Sequence, residues 1–204
     1  MNNLIYIVTS NVNLRGNPEP IKIFDFNKQI INEIKNSNED TFFIDSYYDN
    51  NLSKYFIITG NNNFSRSYDY EKNNIYHKYK DRNLYAILSL IIKYNNGICK
   101  MIESCSDGNI RIYNFHSGLL LNKIKINNSQ LYGIYLRNDD HLFVGCEDKT
   151  IKIVEIKSGL IINSLTGHNN RVLTIKKIIH PKYGECLISQ NYKHSELKLW
   201  INEF

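Results

Sequence analysis

The stretch that decides the fold runs from Ser104 to His168, because one segment occurs in it twice. The first copy reads Cys105-Ser-Asp-Gly-Asn-Ile-Arg-Ile-Tyr113 and later Ser117-Gly-Leu-Leu-Leu-Asn122, and the second reads Cys146-Glu-Asp-Lys-Thr-Ile-Lys-Ile-Val154 and later Ser158-Gly-Leu-Ile-Ile-Asn163. A shift of 41 positions superimposes the copies without a gap. Repeats with a period of about 20 to 50 residues are typical of stacked supersecondary units, as in solenoids and propellers.

Outside this stretch the chain is a series of short β-branched and aromatic segments separated by polar turns. Their hydrophobic period is close to two, which predicts strands rather than helices. The segment from Leu84 to Ile92 has the length of a short helix, but the similarly apolar segments Leu131 to Leu136 and Val172 to Ile179 occupy the same place in later units. We therefore predict a buried strand there.

The residue that closes the third strand of each unit measures the period of the repeat. These residues are Phe24, Tyr68, Tyr113, Val154 and Trp200, at intervals of 44, 45, 41 and 46. Four short strands every forty-odd residues are the pattern of a propeller blade, whereas a helical solenoid needs a period of 3.6 and a leucine-rich repeat a shorter unit. The predicted fold is an all-β β-propeller of about four and a half to five four-stranded blades, with about eighteen strands in total.

We expect one propeller domain over residues 1–204, with approximate repeat units 1–48, 49–96, 97–140, 141–184 and an incomplete 185–204. A ring of seven such blades needs roughly 300 residues. An incomplete or open ring is therefore expected, as part of a longer product or completed by another chain. The alternative is a small and irregular five-bladed ring.

At these residues the chain resembles the WD-repeat β-propellers. Gly167-His168 matches the family's Gly-His pair, Asp107 and Asp148 each lie six residues before a closing residue as the family's turn aspartates do, and Trp200 takes the place of the closing tryptophan. The resemblance is clear from about residue 97 onward and weaker before it. It implies a structural role for these residues, since in the family they form a buried network that fixes the strands. It carries almost no information about activity, because function depends on sites built on a fold and not on the fold itself.

Only one such network is expected, around His168, Ser189 and Trp200. Counting six residues back from Trp200 gives His194 where the resemblance calls for an acid, so the network is expected to lack its acidic member. A catalytic triad of Ser189, His168 and Asp148, or a carboxylate pair of Glu185 and Asp148, is disfavoured because turn and strand roles explain these residues. No zinc-ligand spacing and no glycine-rich phosphate loop is present, so no metal, no cofactor and no catalytic residue is expected.

The net charge of +5 allows binding to nucleic acid, but the basic residues are spread along the chain rather than clustered. The four cysteines form no C-x-x-C pair, and three of them fall in or beside predicted inner strands, which predicts buried thiols in a reducing compartment. The longest apolar stretch is about nine residues, against the roughly twenty that span a bilayer. These features predict an intracellular protein, cytoplasmic or nuclear, without a membrane partner.

The leading hypothesis is a non-catalytic scaffold that presents loops to peptide or protein partners within a larger complex. The residues expected to contact partners lie near the loops that join strands: Asn128, Tyr132, Lys149, Arg171 and Tyr192. The alternative is an RNA-associated propeller subunit that uses its positive charge, for which the basic patch Lys176-Lys177 is one candidate.

Overall fold

The computed structural model describes residues 6–9, 20–25, 28–34, 37, 40–81, 87–95, 97–194 and 196–201. These residues form eighteen strands and one short 3₁₀ helix, η1 (Tyr192–His194). None of the described segments is a helix long and apolar enough to cross a membrane. The strands are β1 (Tyr6–Thr9), β2 (Lys22–Asp25), β3 (Lys28–Glu33), β4 (Thr41–Asp49), β5 (Lys54–Asn61), β6 (Ser65–Asp69), β7 (Asn74–Tyr79), β8 (Ile87–Asn95), β9 (Ile98–Cys105), β10 (Asn109–Asn114), β11 (Leu120–Lys125), β12 (Leu131–Leu136), β13 (His141–Cys146), β14 (Ile151–Glu155), β15 (Leu160–Leu165), β16 (Val172–His180), β17 (Gly184–Asn191) and β18 (Leu197–Ile201).

The strands form five antiparallel sheets in chain order: sheet one (β1–β3), sheet two (β4–β7), sheet three (β8–β11), sheet four (β12–β15) and sheet five (β16–β18). Each strand pairs with its neighbour along the chain, the arrangement that short hairpin turns produce. The predicted all-β class and strand number are confirmed. The apolar segment predicted from Leu84 to Ile92 is strand β8 from Ile87 onward, and residues 84–86 lie outside the described residues.

Each sheet takes its first strand from the end of the preceding sequence repeat. Strands β4, β8, β12 and β16 begin at residues 41, 87, 131 and 172, inside the units that end at 48, 96, 140 and 184. The repeat in the sequence and the sheet in the structure are therefore out of phase by one strand. The single domain over 1–204 and the open ring stay predictions.

The five closing residues occupy one structural position, the last but one residue of β2, β6, β10, β14 and β18. Tyr68, Tyr113, Val154 and Trp200 are buried there, and Phe24 is half-buried. In sheets one to four the pairing with the outer strand shifts register beside this residue, so a β-bulge recurs at the same place. A bulge bends its strand and increases the local twist, which explains why the repeat preserves this position.

By packing, the chain divides into two compact units. The first contains Met1–Ile87 and His116–Leu119, and the second contains Leu88–Phe115 and Leu120–Phe204. In the first unit, Ile21, Ile23 and Ile34 of sheet one pack with Ile57 and Tyr68 of sheet two.

In the second unit, sheet four is covered on both faces. Leu142, Val144 and Val154 pack with isoleucines of sheet three, whereas Phe143 and Ile153 pack in a second cluster with residues of sheet five. Alternate side chains of a strand point to opposite faces, so a strand covered on both sides is apolar throughout. This is why β13 is an uninterrupted apolar run after its first residue.

All four cysteines are free and buried, as predicted. Cys105 and Cys146 end the second strands of sheets three and four. Burial raises the pKa of the Cys146 thiol to about 12, so this thiol is a small core side chain and not a nucleophile.

The turn at Gly108 gives a test of how tightly the chain packs beside β10. Gly108 has φ +76°, and a Cβ there would lie 2.0 Å from the Asn127 carbonyl oxygen, whereas Gly184 has φ +72° and open space around it. We expect Gly184→Ala to lower the free energy of unfolding by about 1 kcal/mol from backbone strain alone. We expect Gly108→Ala to lower it by about 2–4 kcal/mol, because backbone must also move. Urea unfolding of both variants measures this, and equal losses would contradict the close approach.

Candidate functional site

A buried hydrogen-bonded network connects the loop before β16 to strands β17 and β18. His168 Nε2 lies 2.6 Å from Ser189 Oγ, and Trp200 Nε1 donates to the same oxygen at 2.7 Å. The His168 and Trp200 rings lie edge to face, 5.9 Å apart. Gly167, at φ +147°, lies beside the Trp200 ring. The sequence predicted a network of His168, Ser189 and Trp200, and the structure brings these three residues together.

The network has an acidic member, which corrects the expectation that it lacks one. Glu196 Oε2 lies 3.3 Å from His168 Nδ1, and Glu196 Oε1 pairs with Lys198 at 2.7 Å. The turn between β17 and β18 contains η1, with Lys193 at φ 71°, and is longer than the turns of sheets three and four. A count of six residues back from Trp200 therefore reached His194 instead of Glu196.

These contacts fix the roles of the groups around the Ser189 hydroxyl. With Nδ1–H donating to Glu196, His168 Nε2 accepts from Ser189, whose oxygen accepts from Trp200, and every group is satisfied. Burial lowers the pKa of His168 and the Glu196 hydrogen bond raises it, with a net lowering that keeps the imidazole neutral at pH 7.

Ser189, His168 and Glu196 thus form a chain of hydrogen bonds like that of a catalytic triad, but the serine and the histidine are buried in the core. Ser189 is 1% exposed and its oxygen already accepts the indole N–H, so a substrate carbonyl has no approach to it. Asp148, the acid of the disfavoured triad, contacts other residues of its own turn. Glu185 of the disfavoured carboxylate pair forms an ion pair with Lys177 at 2.6 Å.

Asp107 organises the turn between β9 and β10. Its carboxylate accepts two hydrogen bonds from Arg111, at 3.0 and 2.8 Å, and one from the Asn109 backbone N–H at 3.2 Å. Arg111 is only 1% exposed. Burial raises the pKa of Asp107, but the bonds from Arg111 and Asn109 outweigh it and the net pKa is below its ordinary value. The carboxylate is charged at neutral pH and neutralises a buried guanidinium.

Asp148 has the same place in sheet four with different partners. It accepts from the Thr150 backbone N–H at 3.1 Å and the Thr150 hydroxyl at 2.6 Å, and it pairs with Lys152 at 3.4 Å. Asn127 Nδ2 donates to it from the preceding loop at 2.8 Å. Asp148 therefore ties two loops together at one end of sheet four.

A basic residue lies two positions before each closing residue, and the sequence alone did not show its role. The third strands carry, in order, Lys22, Arg66, Arg111, Lys152 and Lys198. In sheets three, four and five this residue pairs with the acid of the adjoining turn, which is Asp107, Asp148 or Glu196. The regular spacing was visible in the sequence, but its meaning depends on the acid that each turn brings near.

Three of the five residues expected to contact partners touch one another. Arg171 Nη1 donates to the Tyr132 hydroxyl at 3.0 Å, and the Arg171 guanidinium lies 3.9 Å from the centre of the Tyr192 ring. The Tyr132 hydroxyl donates to Gln130 Oε1 at 3.0 Å. We call Tyr132, Arg171 and Tyr192 the Arg171 cluster.

The other two predicted contacts, Asn128 and Lys149, are exposed on adjacent loops. The Glu147 carboxylate accepts the Gln130 N–H at 3.1 Å, and the Glu147 N–H donates to the Gln130 carbonyl at 3.0 Å, which joins these loops beside the Arg171 cluster. We define the loop face as the described connections at this end of sheets three to five: residues 106–108, 126–130, 147–150, 166–171, 192–194 and 196. All five predicted contacts are on it or, for Tyr132, bonded to it.

No protein-family model matches the chain, and no curated protein matches it. Solved structures do match its fold. The computationally designed Ika8 protein aligns with a TM-score of 0.70 and 17% identity over 97% of this chain and 57% of its own. A chain of the Mitotic Checkpoint Complex aligns with a TM-score of 0.71 and 14% identity over 98% of this chain and 59% of its own. The computationally designed Ika4 protein aligns with a TM-score of 0.61 and 14% identity over 83% of this chain and 95% of its own.

These likenesses and the five antiparallel sheets define the fold as a β-propeller, with the sheets as blades. At such identities the likeness concerns the fold alone. The chain spans less than three-fifths of the length of the first two structures.

Removal of the Ser189 hydroxyl tests the network. Ser189→Ala leaves the His168 ring nitrogen and the Trp200 N–H buried without a partner, so we expect the free energy of unfolding to fall by about 2–4 kcal/mol. Ser164→Ala, on the exposed face of β15, is the matched control and is expected to change it by less than about 0.5 kcal/mol. Trp200 is the only tryptophan, so its fluorescence reports the unfolding directly. A loss no greater than that of the control would contradict the network.

The lowered pKa of His168 predicts that acid destabilises the fold. Below about pH 6.5 the unfolded imidazole binds a proton that the folded one resists, so stability is lost as the pH falls through that range. Between pH 7.5 and 5.5 we expect the wild type to lose up to about 1 kcal/mol more than His168→Gln. This window lies above the pKa of Glu196, which hydrogen bonding by Lys198 lowers. Urea midpoints at a series of pH values measure the difference, and parallel curves would exclude His168 as the cause.

Proposed function

We propose that the chain is a WD-repeat propeller that acts as a non-catalytic scaffold and presents its loop face to peptide or protein partners in a larger complex. The observation that carries this proposal is that the polar residues with potential for chemistry are used in the structure, whereas other polar residues remain accessible. The groups that suggest chemistry, Ser189, His168, Asp107 and Asp148, are occupied in turns and buried networks. The loops held in place by those turns present accessible residues, among them Asn128, Lys149 and the ring of Tyr192.

The turn networks give the loop face the rigidity that a binding surface requires. Asn127 bonds to Asp148, and Gln130 bonds to Glu147, so the loop before β12 is fastened to the turn after β13. Asn191 Nδ2 donates to Asn169 Oδ1 at 2.7 Å, which fastens the next loop to the end of β17. Pre-organised loops lose less conformational entropy on binding, which favours affinity.

The fold likeness to a chain of the Mitotic Checkpoint Complex agrees with this proposal, since that propeller belongs to an assembly of proteins. The RNA-associated alternative finds less support. The loop face carries three basic residues, Lys149, Arg171 and Lys193, against four acidic ones, Asp107, Glu147, Asp148 and Glu196. Three of these acids are neutralised by Arg111, Lys152 and Lys198, so the remaining charges are three bases and Glu147, which is not the basic cluster that tracks a phosphate backbone.

A pair of charge-matched double variants tests the proposal. One carries Asn128→Arg and Lys149→Glu on the loop face, and the control carries Asn122→Arg and Lys157→Glu, at exposed positions outside it. The tagged full chain is purified from its native cells, and the proteins that co-purify are quantified by mass spectrometry. We expect the loop variant to lose its partners by about tenfold or more, as for surface contacts near a hot spot, and the control to keep them.

Circular dichroism and Trp200 fluorescence of both variants establish that each is folded. Retention of every partner by the folded loop variant, together with loss from the control, would place binding elsewhere on the molecule.

A further inference from the structure

Arg171 differs from the basic strand residues that neutralise the turn acids at this end of the sheets. Arg111, Lys152 and Lys198 each pair with a turn carboxylate. Among the described residues no carboxylate pairs with Arg171, which instead lies against the Tyr192 and Tyr132 rings and donates to a neutral hydroxyl. Its Nε is buried and has no hydrogen-bond partner among these residues. The guanidinium is therefore half-buried, held in place and lacking a counter-charge.

The rigid setting of Arg171 suits recognition of a planar anion. Two aromatic contacts fix the guanidinium plane, and its fork of N–H donors matches a carboxylate. Burial raises the pKa of Tyr132 and Arg171 lowers it, with a net rise, so at neutral pH the phenol keeps its proton and adds no negative charge. Tyr192 is 40% exposed, so its ring offers an apolar surface beside the charge.

The charges nearby favour one isolated carboxylate over a polyanion. The Glu147 carboxylate lies next to Gln130, and Asp148 and Glu196 are on the neighbouring turns. Asp148 and Glu196 are paired with Lys152 and Lys198, so Glu147, which acts on the Tyr132 phenol, is the acid that disfavours a row of phosphates along this edge, whereas Arg171 offers a partner for one carboxylate.

We propose that the Arg171 cluster binds the carboxylate of an aspartate or glutamate side chain in a peptide segment of a protein partner. This inference rests on the proposed function and names the chemistry of its partner. The carboxylate accepts hydrogen bonds from the Nη groups of Arg171, and the residues beside it in the partner pack on Tyr192. The acids around the cluster select partners in which the carboxylate stands alone or beside a basic residue.

The test uses a library of random twelve-residue peptides displayed on phage and selected on the folded full chain. The best binder is synthesised with a fluorescent label, as the acid and with that acid replaced by its amide, Asn or Gln. Fluorescence anisotropy measures both with the wild type, with Arg171→Gln, and with the control Lys176→Gln, which removes one exposed charge from β16 outside the loop face.

For the wild type and the control we expect the amide peptide to bind about ten- to a hundredfold more weakly than the acid, as for a broken charge-assisted pair. For Arg171→Gln the two peptides are expected to bind within about twofold of each other. If Arg171→Gln does not fold, Tyr192→Leu replaces it, with an expected three- to tenfold weakening of the acid peptide.

Equal binding of acid and amide peptides by the wild type overturns the inference, as does selectivity that persists in Arg171→Gln, or the selection of no peptide. Binding of a labelled single-stranded twelve-nucleotide RNA that Arg171→Gln abolishes, without selectivity for acid peptides, overturns it in favour of nucleic acid. Peptides that bind through Asn128 and Lys149 but without acid selectivity end this inference and leave the proposed scaffold function standing. If the Asn128→Arg, Lys149→Glu variant binds the peptides as tightly as the wild type does, the scaffold proposal itself is overturned.

Discussion

A small antiparallel sheet whose strands are apolar on both faces cannot cover itself, and the architecture depends on this constraint. Sheet four shows it most clearly, because Val144 and Phe143 are adjacent in β13 yet pack in different clusters with different neighbouring sheets. Burial of such side chains contributes about 1.5–3 kcal/mol each. Each sheet is therefore stable only when packed against further sheets, which is why the sequence is a repeat. The last strand of a sheet, such as β15, lies at the sheet edge and is exposed.

The sheets hold their strands in register with different polar groups. Sheet five joins its strands through Ser189, His168 and Trp200, with Glu196 as the acid, whereas sheet three uses the bidentate pair of Arg111 and Asp107. At the position of Ser189, sheets two, three and four carry Thr59, Glu103 and Val144, according to their pairing with the third strand. Buried polar groups are tolerated because they are hydrogen-bonded, and each solution fixes the register of its own strands.

The loop face is an ordered surface because ion pairs close its turns. The turns that hold Asp107, Asp148 and Glu196 use their charges internally and so present ordered loops with little free charge. Arg171 stands apart because tyrosine rings rather than a carboxylate surround it. Where the acids of three turns are already paired, a guanidinium that lies against two rings without a carboxylate is a specific feature, and specificity in binding arises from such groups more than from area.

The sequence by itself determined the period, the strand number, the five closing residues and the grouping of His168, Ser189 and Trp200, because these follow from hydrophobic spacing and one family pattern. It missed Glu196, since the length of the turn containing η1 sets which acid reaches His168. It missed the pairing of Arg111 with Asp107, since burial decides whether a basic residue needs a counter-charge. It named Tyr132, Arg171 and Tyr192 separately. Only the tertiary structure decided that these residues, 21 to 60 positions apart, form one cluster, because antiparallel strands of adjacent sheets end at the same edge.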